Sequence, residues 1–445
     1  MKKFLSAALV LCLIVVGVAF AGCGPKEIVL QGGPAYEDQI YGNGGFAVTK
    51  GDYLYFTDAY VSSSSLGSSI TNEQGTVTET GLYRAEMDTE LVSDVETPVL
   101  KNVQLMVSKV VGFENMGLYI FKDKIYFPSP TTESDSSGVR YDLLTFYRCN
   151  LDGSNLEVFY QTESFSDGEF SMTMIDEQVY LLIYDGNQII IVDENGSENV
   201  VASNVTGAVL PSRTTIVSNS ENPSSIECSV YYTVDKESQG SISMGNILYR
   251  ADIVSKNVTE LLNEDRVAVT LSSLEGGRLF YTRNELFANG TISDYNIYSN
   301  SLDGSNFHAS EIKHFDDETI SVVPLGIYEG KNLGVAYVSG DGKIIIKNLD
   351  NSAGNALVSS SVTKIICSRN GYLYYVSSSA IYRISLTDAD ATSEKISGTL
   401  TIKSDYFDID EDFFYFFAED SSKTNKISCY RVDLDSSDKI PVKMA

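Results

Sequence analysis

Short apolar runs recur along the chain after residue 44 in a two-part pattern that repeats about eight times. The first part is a run of aromatic and β-branched residues, as in GDYLYF (51–56), GYLYYV (371–376) and DFFYFF (412–417). This composition favours β-strands. At positions 413–417 both alternating faces are apolar, so the pattern predicts a strand that is buried on both sides.

The second part is a strand that runs into an aspartate-containing turn, as in TFYRCNLDGSN (145–155) and NIYSNSLDGSN (296–306). Asp-Gly and Asn-Gly pairs favour two-residue hairpin turns, because their positive φ angles match the twist of the flanking strands. A weaker apolar strand precedes each first part, and another often follows each turn. The pattern therefore predicts four antiparallel strands in each unit.

Eight units between residues 45 and 445 give roughly fifty residues per unit, which is the range of four-stranded propeller blades. Blades arranged around an axis bury both faces of the aromatic strands, which a two-sheet sandwich of this length does not. We predict an all-β fold, a single β-propeller domain over residues 45–445, with eight blades as first choice and seven or six as alternatives. The spacing at 99–111 also suits a short helix, but we interpret this stretch as a strand.

The N-terminus has the order of an export signal: Lys2 and Lys3, an apolar run at 4–20, and then Ala-Gly-Cys. Small residues directly before Cys23 resemble the lipobox of bacterial lipoproteins. That resemblance implies removal of residues 1–22 and acylation of Cys23, with 23–44 as lipidated N-terminus and tether. An ordinary cleaved signal peptide and an uncleaved anchor are the alternatives. We expect an exported protein, lipid-anchored to the bilayer and facing the extracytoplasmic side at the cell surface.

The formal net charge is −28, and loss of the two lysines with the signal would make it −30. A strongly acidic chain repels phosphate backbones, so nucleic acid is not an expected partner. Four cysteines each stand alone in a predicted strand, with no CxxC spacing. We predict that they are small buried hydrophobic residues, with disulfides as the alternative: Cys149, Cys228, Cys367 and Cys429.

Motifs for catalysis are missing from the sequence. Only His308 and His314 are available as histidines, and HExxH, GxSxG, the phosphate loop and a GxGxxG fingerprint do not occur. We therefore assign no catalytic, metal-binding or cofactor-binding residue and predict no cofactor. The acidic run at 405–412 lacks the order of an EF-hand loop, so we interpret it as a solvated turn, with a calcium site as the alternative.

A Tyr-Arg pair recurs in five units. Alternation along a strand sends the ring to one face and the guanidinium group to the other. Repetition at one structural position predicts a role in packing the framework. The pairs are Tyr83-Arg84, Tyr147-Arg148, Tyr249-Arg250, Tyr382-Arg383 and Tyr430-Arg431.

YFTD at 55–58 and the Tyr-Arg strands that lead into LDGSN-type turns resemble the YWTD-type β-propellers of low-density-lipoprotein receptors. They resemble more closely the bacterial lipoproteins that bear a related propeller domain of unknown function. The similarity spans nearly the whole chain after residue 23. It implies a propeller that binds protein or glycan, and it implies no catalytic residue.

Loops between the two parts of the pattern are short in units three, six and seven and long in the others. They are expected on one face of the ring, and units eight, one and two would place theirs in one sector. We predict a ligand surface that includes Tyr60 and Tyr141, with Phe287 and Tyr295 of unit five on the same face. Tolerated insertions are the alternative. The expected function is a non-catalytic binding or scaffold module, and the alternative is a carboxylate-dependent carbohydrate-active enzyme.

Overall fold

A computed structural model gives the architecture of the chain. It describes residues 40–41, 44–57, 70–72, 75–87, 98–100, 102–112, 117–130, 134–135, 138–139, 143–163, 165, 168–211, 228–275, 277–292, 295–301, 310–315, 322–329, 331–349, 355–358, 361–388, 390–410, 412–419 and 427–444. These residues form strands and turns and contain no helix.

The first half of the chain builds four blades, and the strand β1 (Ile40–Tyr41) precedes them. Blade 1 contains β2 (Ala47–Lys50), β3 (Tyr53–Thr57), β4 (Ile70–Asn72), β5 (Gly75–Glu86) and β6 (Gln104–Gly112). Blade 2 contains β7 (Tyr119–Phe121), β8 (Lys124–Pro130), the hairpin β9 (Ser134–Asp135) and β10 (Gly138–Val139), β11 (Leu144–Asn150) and β12 (Glu157–Gln161). Blade 3 contains β13 (Glu169–Ile175), β14 (Gln178–Tyr184), β15 (Gln188–Asp193) and β16 (Glu198–Ser203). Blade 4 contains β17 (Val205–Val209), β18 (Ser229–Asp235), β19 (Asn246–Asp252) and β20 (Val258–Leu262).

The second half builds four more. Blade 5 contains β21 (Val267–Glu275), β22 (Arg278–Glu285), β23 (Tyr295–Ser301) and β24 (Ser310–Phe315). Blade 6 contains β25 (Val323–Pro324), the hairpin β26 (Ile327–Tyr328) and β27 (Lys331–Asn332), β28 (Val335–Val338), β29 (Ile344–Lys347) and β30 (Asn355–Val358). Blade 7 contains β31 (Val362–Arg369), β32 (Tyr372–Ser377), β33 (Ala380–Ser385) and β34 (Glu394–Lys395). Blade 8 contains β35 (Ile402–Ile409), β36 (Phe413–Glu419), β37 (Ile427–Asp433) and β38 (Val442–Lys443).

Each blade has four main antiparallel strands that are neighbours in the sheet and follow one another in sequence, and we call them A to D in chain order. The short strands β4, β9, β10, β26 and β27 lie in the connections and are not counted among these four. The fourth strands β16 and β20 are exposed along much of their length, whereas strand B is the most buried. Strand D therefore forms the rim and strand A lines the axis. The predicted all-β propeller with eight four-stranded blades is confirmed, and β6 confirms the strand expected within 99–111.

Eight hydrophobic clusters of the described residues join the blades, one for each pair of neighbours. One of these clusters packs Phe46 and Phe56 of blade 1 against Tyr415 and Phe417 of blade 8, which closes the ring. In β36, Phe414 to Phe417 are all buried, so both faces of this strand are covered by neighbouring blades as the sequence predicted.

The C–D turns close as predicted, but their geometry differs from a two-residue hairpin. In blade 2 the Gly153 N–H donates to the Asn150 carbonyl (2.9 Å), and the Asn150 N–H donates to the Ser154 carbonyl (2.9 Å). This is a type I turn followed by a glycine bulge, in which Gly153 has a φ of 80°. Asp152 fixes the turn because its Oδ1 accepts the Ser154 N–H at 2.9 Å.

The Tyr-Arg pairs pack as the alternation predicted. The tyrosine stacks on a strand-B ring directly across the sheet: Tyr83 lies 5.5 Å from Phe56, and Tyr382 lies 5.6 Å from Tyr375. The arginine of the pair turns to the opposite face, where Arg84 covers the Tyr53 ring at 4.5 Å. The predicted packing role is confirmed for these pairs.

The four cysteines have free thiols. Cys149, Cys228 and Cys429 are buried as predicted, and Cys367 is partly exposed. Burial raises the pKa of the Cys149 thiol to about 12, which keeps it protonated and unreactive.

Candidate functional site

The predicted ligand surface falls partly outside the described residues. Cys23, Tyr60 and Tyr141 lie outside them, so the sector of blades 8, 1 and 2 stays a prediction. Tyr295 begins β23, and the structure describes its backbone only. Phe287 is described in full and lies in the B–C loop of blade 5 with 57% of its surface exposed.

The B–C loops of blades 4 and 5 pack against each other, and we call residues 236–245 and 286–292 the 4–5 platform. Within the blade 4 loop, the Gln239 and Ile242 backbones exchange two hydrogen bonds (3.1 and 3.2 Å), and the Lys236 N–H donates to the Gly245 carbonyl (2.9 Å). Gly245 in turn bridges Val267 in β21 of blade 5. The two long loops therefore form one ordered surface.

The blade 5 loop holds Phe287 in a closed hairpin. The Phe287 N–H donates to the Thr291 carbonyl (2.8 Å), and the Gly290 N–H donates to the Phe287 carbonyl (2.9 Å). The Asn289 side chain accepts the Thr291 N–H (3.1 Å) and its hydroxyl (2.7 Å). Gly290 has a φ of 83°, and a Cβ there would come within 3.1 Å of the Ser243 nitrogen. Close approach to blade 4 thus fixes the loop that presents the phenyl ring.

Charged groups support the platform from the D–A connection of the same two blades. Glu264 pairs with Arg283 of strand β22, and the Lys236 ammonium donates to the Glu264 carbonyl. Burial disfavours the charge of Arg283, but the Glu264 pair outweighs it and holds the pKa of this guanidinium above its usual value. Arg266 donates to the Phe287 carbonyl at 3.4 Å. An ion pair and hydrogen bonds therefore hold the backbone that carries Phe287.

Exposed amide and hydroxyl side chains occur on the same two loops as Phe287, from Gln239, Ser243, Asn289 and Thr291. An aromatic ring with neutral hydrogen-bonding groups is suited to stacking on an apolar face of a ligand and to binding its hydroxyl or amide groups. The sequence indicated Phe287 and the long loop of blade 5, but it placed the candidate ligand sector at blades 8, 1 and 2. It gave no signal that the blade 4 loop would lie against the blade 5 loop.

The N-terminal strand lies on the inner side of blade 2. Ile40 pairs with Phe121 and Tyr41 with Ile120, so β1 extends the sheet beyond strand A toward the axis. The pairing is antiparallel, and β7 runs toward the A–B turn. The chain before residue 40 consequently approaches from the face of the A–B turns, opposite the face of the B–C loops and the 4–5 platform.

The acidic run at 405–412 divides between two environments. Asp410 and Asp412 belong to the A–B turn of blade 8, where Asp410 Oδ1 accepts the N–H groups of Asp412 (2.9 Å) and Phe413 (2.7 Å). Asp408, in contrast, is buried. The interpretation as a solvated turn is thus wrong for Asp408. Among the described residues, no group of three or more His, Cys, Asp or Glu side chains could hold a metal ion.

His314 lies in β24, the rim strand of blade 5, and His308 lies outside the described residues. Within the described ranges, no apolar helix of bilayer-spanning length occurs.

Comparison with known proteins gives no family and no curated relative: no family model matches the chain, and no curated protein does. Solved structures do match. The β-propeller domain of the Trilobed protease from Pyrococcus furiosus, described as having an open velcro topology, is 10% identical with a TM-score of 0.38, over 92% of this chain and 98% of that one. An oligogalacturonate lyase in complex with manganese is 13% identical with a TM-score of 0.42, over 71% and 87%.

TolB from Acinetobacter baumannii is 12% identical with a TM-score of 0.30, over 74% of this chain and 78% of that one. A prolyl endopeptidase is 11% identical with a TM-score of 0.41, over 89% of this chain and 54% of that one. This chain spans about half the length of that peptidase and of the acylaminoacyl peptidase of Pyrococcus horikoshii. At these identities the likeness concerns the fold alone, and the eight-bladed ring rests on the sheet order and the inter-blade clusters.

Proposed function

We propose that this protein is a non-catalytic binding propeller, tethered to the membrane through an acylated Cys23, that takes a protein or glycan ligand on its B–C loop face. The observation that carries the proposal is Phe287, an exposed aromatic side chain on the B–C loop of blade 5, which packs against the B–C loop of blade 4. Exposed aromatic residues on rigid loops are typical anchors of binding surfaces.

The course of β1 supports the direction in which the site faces. The chain reaches residue 40 from the A–B turn face. A membrane tether before residue 40 therefore places the A–B turn face toward the bilayer and the B–C loop face away from it. The 4–5 platform would then point outward, where a ligand of the cell surface or its surroundings is accessible. The resemblance of the N-terminus to a lipobox supports the proposed tether. The resemblance of the repeats to YWTD propellers supports the proposed binding of protein or glycan.

Binding is tested with the lipid-free domain, residues 24–445, on a glycan array and on isolated cell-wall and exported-protein fractions. Phe287→Ala is expected to lower the affinity for the captured ligand by at least about tenfold, because the anchoring ring is lost. Val258→Ala is the matched control, since Val258 is also an exposed apolar residue (46%) but lies on the rim strand of blade 4. Equal affinity of the Phe287 variant and the wild-type protein would contradict the assignment of the platform.

Tethering is tested in cells that produce the full chain. Metabolic labelling with an alkynyl fatty acid is expected to mark the wild-type protein and to leave Cys23→Ser unlabelled. Label that persists in the Cys23 variant would contradict acylation at this residue, whatever the outcome of the binding experiment.

A further inference from the structure

Blades 8 and 1 meet at a seam that no peptide connection crosses, because they stand at opposite ends of the propeller domain. Several contacts between described residues hold it. Phe46 packs against Phe417 at 4.8 Å between ring centroids. Residues 98–100 of blade 1 lie along the rim strand of blade 8, where the Leu100 N–H donates to the Lys443 carbonyl (2.9 Å) and the Lys443 N–H to the Pro98 carbonyl (2.8 Å).

A further contact is a buried carboxyl group. Asp408, in strand A of blade 8, is 5% exposed. Its Oδ2 accepts the Ala47 N–H of blade 1 at 2.9 Å, and its Oδ1 accepts the Ile409 N–H at 2.9 Å. A Cβ atom at Gly45 would overlap this carboxyl group. The seam is therefore shaped around Asp408, with a glycine on the facing chain that leaves room for it.

The same sheet position carries no carboxyl group in six other blades. Asp408 stands opposite Tyr415, the third residue of the strand-B run. The residues at the corresponding register positions are uncharged: Val48, Tyr119, Thr173, Val209, Ser273 and Cys367. Blade 8 thus carries a carboxyl group where these six blades carry an uncharged side chain. Blade 8 is also the blade whose neighbour in the ring, blade 1, does not follow it in the chain.

Among the residues that the structure describes, few charged groups surround the Asp408 carboxyl. Asp410 is repulsive, and its own Oδ2 accepts the Tyr415 hydroxyl at 2.6 Å. Arg431 lies over the Phe413 ring at 4.3 Å. From blade 7, Cys367 and Arg369 face the same region, and Glu275 of blade 5 also acts on Cys367. Arg369 gives Asp408 the weakest of its attractions.

From blade 1 the carboxyl group receives the Ala47 N–H. Burial is the largest influence and raises the pKa of the Asp408 carboxyl to about 7, with a small further increase from Asp410; the hydrogen bonds from the Ala47 and Ile409 N–H groups act in the opposite direction but do not outweigh burial.

We propose that Asp408 is a proton-sensitive latch of the ring: the neutral acid closes the seam between blades 8 and 1, and the ionised form loosens it. Burial of a carboxyl group that forms no salt bridge with a described residue sets the direction, because removal from water disfavours the charged form. A carboxyl group that binds its proton more tightly in the closed seam than in the open one stabilises closure most at low pH. That stabilisation falls as the pH rises from the ordinary aspartate value toward 7 and is lost above it. An exported ring would experience this through the pH of its surroundings.

Hydrogen exchange of the lipid-free domain tests the latch directly. Protection factors, corrected for the intrinsic pH dependence of exchange, are compared at pH 5 and pH 7 for backbone amides 46–50 at the seam and 205–209 between blades 3 and 4. The opening equilibrium of the seam should increase by up to about tenfold per pH unit. The protection factors of amides 46–50 should therefore fall by between about tenfold and a hundredfold from pH 5 to pH 7. Amides 205–209 should keep theirs. Seam protection that is equal at both pH values, or an equal loss at both junctions, would overturn the proposal.

Asp408→Asn supplies the second arm. The amide is isosteric and uncharged, so the seam of this variant should show the same protection at pH 5 and pH 7. Asp410→Asn, which removes a carboxylate of the neighbouring turn, should retain the pH response. A response that persists unchanged in Asp408→Asn would assign the titration to another group. Should that variant fail to fold, the pH series on the wild-type protein, with its internal control, still decides between the two outcomes.

Discussion

The junction between blades 3 and 4 and the seam between blades 8 and 1 solve one packing problem in two ways. Blades 3 and 4 are joined by the chain at 203–205, and a mainly aliphatic cluster fills the space between them, including Leu182, Ile191 and Val230. The seam has aromatic rings, a buried carboxyl group, a buried arginine and an added segment at 98–100 that bridges the rim strand of blade 8.

The difference follows from chain connectivity. Neighbouring blades that are covalently joined lose little further entropy when they dock, so non-directional apolar packing is sufficient. The terminal blades must be held together by contacts alone. Directional hydrogen bonds fix their register, and the added segment at 98–100 covers a rim strand that would otherwise end the sheet.

The largest expected effect comes from truncating the aromatic core of the seam. Phe417→Ala should lower the free energy of unfolding by about 3–5 kcal/mol, because a ring packed on Phe46 is replaced by a cavity. Urea unfolding measures the loss. Ile191→Ala is the matched variant at the blade 3–4 junction, with an expected loss of about 2–5 kcal/mol. Hydrogen exchange should show the Phe417 effect concentrated at amides 46–50, and a uniform loss of protection would remove the distinction between the junctions.

Gly45→Ala should have the next largest effect. A methyl group at this position overlaps the Asp408 carboxyl group, and the expected cost of overpacking is about 1–3 kcal/mol. Gly340→Ala is the control, because a Cβ atom there would meet no other atom within 4 Å and the φ of Gly340 is outside the left-handed region. Denaturation midpoints that are equal for the two variants would show that the seam accommodates the methyl group by moving.

Arg431→Lys tests a cation–π contact within blade 8, where the Arg431 guanidinium also reaches Met87 of blade 1. Arg431 is 5% exposed and lies 4.3 Å from the Phe413 ring centroid, so loss of the planar guanidinium should cost about 1–2 kcal/mol. Arg148→Lys, at a more exposed site 5.4 Å from Phe159, should cost about 0.5–1 kcal/mol. Thermal unfolding of both variants gives the comparison, and a larger effect at Arg148 would reverse it.

Phe287→Ala should have the smallest effect on stability, within about 0.5 kcal/mol, because the ring is exposed. The same variant is expected to lose ligand binding. An equally large loss of stability and of binding would indicate that the ring supports the loops and does not anchor a ligand.

Several features were predictable from residues alone because they depend on local periodicity. Aromatic runs with two apolar faces, as at 413–417, require cover on both sides, and that requirement indicated blades. Tyr-Arg pairs such as Tyr83-Arg84 indicated opposite faces by alternation. The three-residue form of the LDGSN turn was missed, because a glycine bulge and a two-residue turn share the same Asp-Gly signal.

The candidate site was predictable only in part. Long loops and the exposed Phe287 were visible in the sequence, but the contact of Gly290 with Ser243 joins two blades and has no local pattern. The interpretation of the acidic run at 405–412 as a solvated turn was wrong at Asp408 for the same reason. Nothing near Asp408 in the sequence distinguishes it from its solvated neighbours, since its burial depends on a blade at the other end of the chain.

By itself, the sequence of this protein determined the strand-forming segments, the four-strand unit and its repetition, because side-chain alternation and turn chemistry act over a few residues. Only the tertiary structure decided which loops meet, from which face the chain enters at Ile40, and how the ring closes. The hydrogen bond from Ala47 to Asp408 spans 361 positions. Such a contact exists only once eight blades have brought the two ends together, because its energy comes from burial and geometry that no short stretch of sequence contains.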